Sequence, residues 1–297
     1  MMAEYLLRSL MFVPAHNRKL MESAIKSDAD VLLPDLEDSV QPKINKSVAR
    51  AQIAEFAKTG LFDGYRVFPR VNDRESGELL KDVTELALKG IDGFMYPKAK
   101  TGLDIYFFDK LLETVEYEKG FEIGTFKIIP LIETASAVLH AEEIAKASAR
   151  VIAIAFGNED YLTDIEGKND ETASPLFTAR SIIAIAAHSA QVTPIDTVHI
   201  KVHDLQDLET NLRIATKLGF KGMLVLHPKE LPLVHQYYSP SEHSVTEART
   251  MVEAYEASEK DGVGVTIVNG AFIGPPLVRN AKKILTRNQL IINKPKR

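Results

Sequence analysis

The strongest constraint on this chain is a rhythm. Between residues 9 and 235, short apolar runs alternate with amphipathic stretches eight times. "SLMFVP" precedes a helical pattern over 17–27, "VLLPD" one over 44–58, "YRVFPRV" one over 77–88 and "GFMYPK" one over 103–119. "FKIIPLIET" precedes 135–147. "RVIAIAFGNED" precedes a longer loop and then 176–190. "DTVHI" precedes 205–218, and "GMLVLHP" a short turn over 229–235. The apolar runs are continuous rather than alternating, which marks parallel strands covered on both faces. Eight such units in about 230 residues favour a closed ring over an open sheet. The expected fold is α/β, a TIM (β/α)8 barrel over residues 1–238. Residues 239–297 form a C-terminal extension or lid: a charged helix, a hairpin in "GVGVTIVNGAFIGPP" and a closing helix.

Chemistry in such barrels sits at the C-terminal ends of the strands, so the residue after each apolar run matters most. Those residues are Asp35, Glu37 and Asp38 after run two, Arg70 and Asn72 after run three, and Lys98 after run four. Glu133 follows run five, Asn158, Glu159 and Asp160 run six, Lys201 run seven and His227 run eight. Three acids packed as in "DLED" repel one another unless a cation or proton sits among them. Carboxylates on adjacent strand ends make a hard-oxygen site of the kind Mg²⁺ uses, with one or two direct carboxylates and several waters. Glu133 and Asp160 are the expected metal ligands, with Glu37 and Asp38 holding the ion's waters.

Each signal also has a plain structural explanation. "DLED" can complement a helix dipole, Glu133 can flank a helix capped by Thr134, and "GNED" can be a turn. Arg70 can pair with a helix acid, Lys98 can pack its stem on the rim, and His227 can shape a turn. Asn17 can cap the first helix. The shared position at strand ends is what favours chemistry.

Composition removes other classes. The net charge of −5 offers no field for nucleic acid or an anionic membrane. Cysteine is absent, which excludes disulfides, thiolate metal sites and a cysteine nucleophile, and suits a cytoplasmic protein. No apolar run reaches the length of a membrane span, and "MMAEYLLRSLMFVP" makes a poor signal peptide.

The segments "LRSLMFVPAHNRKL", "DLEDSVQPKINKSVAR", "VFPRVND", "DGFMYPKA", "PLIETASAVLHAEEIA", "IAFGNEDYLTDI" and "VNGAFIGPPLVRNAKKIL" run in order over nearly the whole chain. Together they resemble the citrate lyase β-subunit-like group of the HpcH/HpaI aldolase superfamily, near malyl-CoA and citramalyl-CoA lyases. The resemblance implies Mg²⁺ on Glu133 and Asp160 and a substrate-facing Arg70. Glu133 and Lys98 are also expected near substrate, and Glu37 or Asp38 is the expected acid/base because Gly274 stands where relatives carry an aspartate for that task. It implies carbon–carbon cleavage of a small 3-hydroxyacyl thioester, carried on CoA or an acyl-carrier protein, to a keto acid and an acyl thioester. It also implies a homo-oligomer, a trimer or hexamer. An aldolase acting on free hydroxy-keto acids and a non-catalytic ligand-binding member stay open. The chain departs from the pattern at Gly274, where many relatives carry an aspartate in "G-x-M-I-D-x-P", and at Ala15, where "FVPG" is common.

Overall fold

A computed structural model of the chain describes residues 5–168, 174–260, 262, 264–268 and 270–295. Among them, one parallel sheet holds β1 (Ser9–Pro14), β2 (Val31–Asp35), β3 (Arg66–Val67), β4 (Gly93–Tyr96), β5 (Lys127–Ile132), β6 (Ala153–Phe156), β7 (Thr193–Asp196) and β8 (Gly222–Val225). The strand order is β3-β2-β1-β8-β7-β6-β5-β4, so β1 pairs with both β2 and β8. The remaining seam lies between β3 and β4. It is crossed by the Asp92 amide donating to Val67 O at 3.0 Å, Met95 N to Pro69 O at 3.0 Å and Val71 N to Met95 O at 3.1 Å. The backbone of Arg70 bridges Asp35 on one side and Met95 on the other. The sheet therefore wraps into the expected (β/α)8 barrel.

Burial explains why these runs became strands. Every residue of β2, β4, β6 and β8 is buried, as parallel strands between a filled interior and a helical jacket must be. Each fully buried Leu or Ile contributes roughly 1.5–3 kcal/mol relative to exposure, and Leu32, Leu33, Ile128, Ile129 and Ile154 are all fully buried. The helices start where local chemistry allows. Asn17 accepts from Leu20 N and Thr134 from Ala137 N, as anticipated for both caps. Gly120 and Gly219 end their helices at φ 72° and 98°. The single helix expected over 135–147 is two, Ala135–Leu139 and Ala141–Lys146, broken at His140. There the Ser136 carbonyl is shared between the His140 amide, at 3.0 Å, and its ring Nδ1, at 2.8 Å.

Two strand expectations need correction. Run three was expected as a strand over 65–71, but its regular part is only Arg66–Val67. Pro69 carries no amide proton to donate; the ladder to β2 continues through Phe68 N to Leu32 O and Arg70 N to Pro34 O. Strand seven was expected at 196–200, and it is Thr193–Asp196, in register with β6 through Ala153↔Thr193 and Ala155↔Ile195. Asp196, not Ile200, ends the strand, and its carboxylate is buried against Arg180 at 3.0 Å. Lys201 consequently lies five positions past β7, exposed and paired with Asp207 at 2.8 Å.

The chain divides into two compact units, residues 7–235 and residues 236–295 with 5–6. In the second, the charged helix Glu242–Lys260 packs with the closing helix Pro275–Ile292. The expected hairpin pairs β9 (Thr266–Val268) antiparallel with β10 (Ala271–Ile273); Asn269 of its turn lies outside the described residues, as does part of the longer loop before 176. Tyr255, Ile273 and Val278 form the core of this unit, with Met251, Val252 and Val268 against them. No helix among the described residues is long and apolar enough to cross a membrane.

Candidate active site

The period of two along a strand sets which side chains share a face. Asp35 and Glu37 are two apart, as are Arg70 and Asn72, and Asp35 is bridged to Arg70 through the backbone. Side chains at the end of β2 and on the extended segment that follows β3 therefore meet. Arg70 forks onto Asp35, with Nε to Oδ1 at 2.7 Å and Nη2 to Oδ2 at 2.8 Å. Its Nη1 lies 2.9 Å from Glu37 Oε2 and 3.2 Å from Asp38 Oδ2. The guanidinium also stacks on the Phe12 ring from β1, 4.8 Å from its centre. A cation among the three acids of "DLED" is thus Arg70, where the sequence suggested a metal ion. Burial alone would raise Asp35; the Arg70 guanidinium overrides it and holds that carboxyl below its usual range. Arg70 is raised in turn by Asp35, Glu37 and Asp38 against the cost of its own burial.

Glu37 is in a different position. It is 4% exposed. Lys98 Nζ lies 2.8 Å from Oε1, yet neither carboxylate oxygen has a well-aligned hydrogen bond. Burial, reinforced by the charge of Asp38, pushes its carboxyl up to about 7 despite Arg70 and Lys98. Asp38 is the exposed counterpart, with 57% of its side chain open to solvent.

The β5–β6 register builds the second half of the rim. Ile132 pairs with Phe156, which puts Glu133 opposite Gly157. Glu133 is 1% exposed, and its Oε1 accepts from the Lys98 amide at 2.6 Å. A β-carbon on Gly157 would lie 2.8 Å from Glu133 Cβ and 2.9 Å from Oε2, so only glycine leaves that carboxylate its place. Asp160 sits exposed in the first turn of the helix Asn158–Asp164 that follows Gly157. That helix is tied back by Asp164 Oδ2, which accepts from Ala135 N at 2.7 Å. Burial, then the charge of Glu37 and more weakly that of Asp160, pushes the Glu133 carboxyl well above its usual range.

No group of three or more His, Cys, Asp or Glu side chains forms a metal cluster among the described residues. Glu133 and Asp160 nonetheless suit Mg²⁺, which takes one or two carboxylates and fills its other positions with water or substrate. A buried carboxylate crowded by two like charges is the group a dication would relieve.

A layer beneath holds the rim. Lys46 donates to the carbonyls of Leu36 at 3.0 Å and Glu37 at 3.3 Å, and also to Asn72 Oδ1. Asn72 in turn donates to Asp82, which Arg50 neutralises at 2.9 Å. Asp35, Lys46 and Gly157 were given no role by the sequence reading. For Asp35 the two-residue spacing to Glu37 was the available signal; for Lys46 and Gly157, whose parts depend on through-space neighbours, there was none. Among the other expectations, His227 shapes a turn, its Nδ1 accepting from Lys229 N at 3.1 Å. Asn158 is buried and bonded to Thr197, and Glu159 accepts from Asn158 Nδ2.

An eight-stranded barrel with acids and a buried arginine gathered at its strand ends belongs to the class of barrel enzymes that work at that rim. More narrowly, the chain belongs to the HpcH/HpaI aldolase/citrate lyase family, whose model matches residues 8–228, and it is a lyase. It is 30% identical over 282 residues to the citrate lyase subunit beta of Leuconostoc mesenteroides subsp. cremoris, covering 95% of this chain and 93% of that one. It is 30% identical over 306 residues to the L-malyl-CoA/beta-methylmalyl-CoA lyase of Cereibacter sphaeroides, covering 96% and 95%. Among solved structures it is similar to protein CitE from Mycobacterium tuberculosis in complex with magnesium, acetoacetate and coenzyme A. The TM-score is 0.73 at 25% identity, covering 95% of this chain and 100% of that one.

Proposed function

We propose that the protein is a Mg²⁺-dependent carbon–carbon lyase acting on a small 3-hydroxyacyl thioester of the citryl-, malyl- or citramalyl-CoA type. The products are a keto acid and an acyl thioester. The observation that supports this reading is buried Glu133 just after β5 with exposed Asp160 in the first helical turn after β6, near enough for its charge, and that of Arg70, to act on Glu133. The names of the relatives and the ligands of the CitE complex agree with it.

Glu133 and Asp160 hold the ion, which when bound supplies Lewis acidity to the substrate's hydroxyl and neighbouring carboxylate. The fork of Arg70 is already committed to Asp35, so substrate meets Nη1. Asp38 is the exposed, longest-range partner of that nitrogen, and a substrate oxygen displaces it. Nη1 then stabilises the thioester enolate as the carbon–carbon bond breaks. Glu37 takes the hydroxyl proton and returns it to the enolate carbon, so the proton count balances over the cycle. Its place beside Arg70, with no well-aligned hydrogen bond of its own, suits that shuttle.

The test is a panel of malyl-, citramalyl- and citryl-thioesters assayed with Mg²⁺ and with chelator, in wild type, E133Q and D160N. Metal-dependent release of keto acid, lost in both variants, is the expected result; full turnover in chelator sinks the reading. Gly274 is the observation that favours a second reading, a family member that binds the ligand without turning it over. Thioester binding by calorimetry with no product from any panel member would select it.

A further inference from the structure

Lys98 follows β4 and Pro97, and its φ is +53°. Left-handed backbone is uncommon for a residue with a β-carbon and costs free energy that glycine would not incur. Lysine is nevertheless present, and the geometry shows what this conformation achieves. The amide points at one carboxylate, Glu133 Oε1, 2.6 Å away. The side chain reaches a second, with Nζ 2.8 Å from Glu37 Oε1 and 3.7 Å from Asp73 Oδ2. One residue thus addresses two of the rim's buried acids, through two different groups.

We propose that Lys98 is a positioning residue for the metal-binding rim rather than a ligand of the substrate. Its left-handed backbone fixes Glu133 by one oxygen, and its ammonium holds Glu37 away from the ion. This rests on the reading that Glu133 binds the metal. A short hydrogen bond from an amide to a carboxylate is a strong one and fixes the carboxylate plane. With Oε1 engaged, Oε2, which takes up the space that a side chain at 157 would fill, is the oxygen left to ligate. Single-oxygen ligation suits the strict octahedral demand of Mg²⁺. The ammonium prevents a second buried acid from joining the coordination shell and leaves Glu37 for proton transfer. Such outer partners orient the direct ligands of many metal sites.

The experiment compares K98M, K98G and K98R with wild type. K98M removes the ammonium and keeps the strain, K98G removes both and keeps the amide, and K98R keeps a cation. Mn²⁺ binding is measured by calorimetry without substrate, kcat and KM on the thioester that wild type turns over, and crystal structures are determined metal-free. In K98M and K98G, Glu37 swings off its present position while Glu133 Oε1 stays on the residue-98 amide. Mn²⁺ binds more tightly as Glu37 joins the shell. The turnover number falls about 10–100-fold with KM unchanged, and K98R recovers most of it. A raised KM with unchanged Mn²⁺ affinity overturns the proposal, because Lys98 would then be holding substrate. If wild type binds no divalent ion, the metal reading fails separately. The metal-free structures still decide the positioning role, which falls if Glu37 stays in place without the ammonium.

Discussion

Gly157 stands opposite Glu133 across the β5–β6 ladder, and the space its missing side chain leaves is taken up by that carboxylate, 2.9 Å from where a β-carbon would be. The backbone here has a negative φ, −104°, so glycine is required by space and not by dihedral strain. G157A should therefore displace Glu133 without altering the turn. The expected cost is about 1–3 kcal/mol of stability, typical of overpacking, with Mg²⁺ binding lost in the same variant. Urea unfolding and calorimetry on one preparation check both. Normal metal affinity in G157A would show that Glu133 is free to relocate.

The Asp35–Arg70 pair is both a backbone bridge and a two-point ion pair, with Asp35 1% and Arg70 9% exposed. Removing one member of such a pair leaves a buried charge uncompensated. R70M is expected to lose roughly 3–5 kcal/mol of folding stability as well as activity. R70K should recover part of the stability but little activity, because an ammonium cannot fork. Denaturant melts beside kcat/KM separate the two. Equal stability of R70M and wild type would remove the structural half of the argument.

Metal binding should depend on pH with a definite sign. Glu133 is held well above its usual range, chiefly by burial, so the metal-free protein keeps a proton there that ligation must displace. Mg²⁺ affinity rises with pH as Glu133 gives up its proton, above the usual carboxylate range. A folded-state pKa raised above the unfolded value means stability present at low pH and lost as pH rises through the folded pKa. The metal-free protein accordingly loses stability over that interval while the loaded protein keeps it, so their melting temperatures diverge. Calorimetry in buffers of different ionisation enthalpy should register proton release on binding; none would contradict the protonated rim.

Gly274 offers a clean probe of the missing aspartate. It caps the helix Pro275–Ile292 with φ −124° and ψ 177°, and a β-carbon there would meet only Phe272 Cε1 at 3.6 Å and Pro276 Cδ at 3.9 Å. Asp in place of Gly at such a cap changes stability by only a few tenths of a kcal/mol. G274D should therefore fold like wild type, and any gain in thioester cleavage reports chemistry. A gain of tenfold or more would show that the acid/base of this chain is incomplete as it stands; no change would leave proton transfer to Glu37.

The barrel was legible because eight continuous apolar runs with helical partners have few other ways to be covered. The positions of Glu133, Glu37 and Arg70 followed from the same count, since each comes at the end of a run. What escaped was pairing. The sequence put Asp35 among three acids but could not show that Arg70 would fork onto it rather than onto substrate. Lys201 was placed at a strand end because "DTVHI" looks more like a strand than "TPID" does, and proline in the latter masked the true register. Lys98 read as a rim cation, while the left-handed twist that aims its amide at Glu133 has no sequence signature when the residue is not glycine.

The seam between β3 and β4 ties closure of the ring to the place of one side chain. The ring is joined there through the peptide of Arg70 and the amides of Val71 and Met95. Opening that joint would free the peptide that carries Arg70, so closing the cylinder and seating the arginine are one structural event.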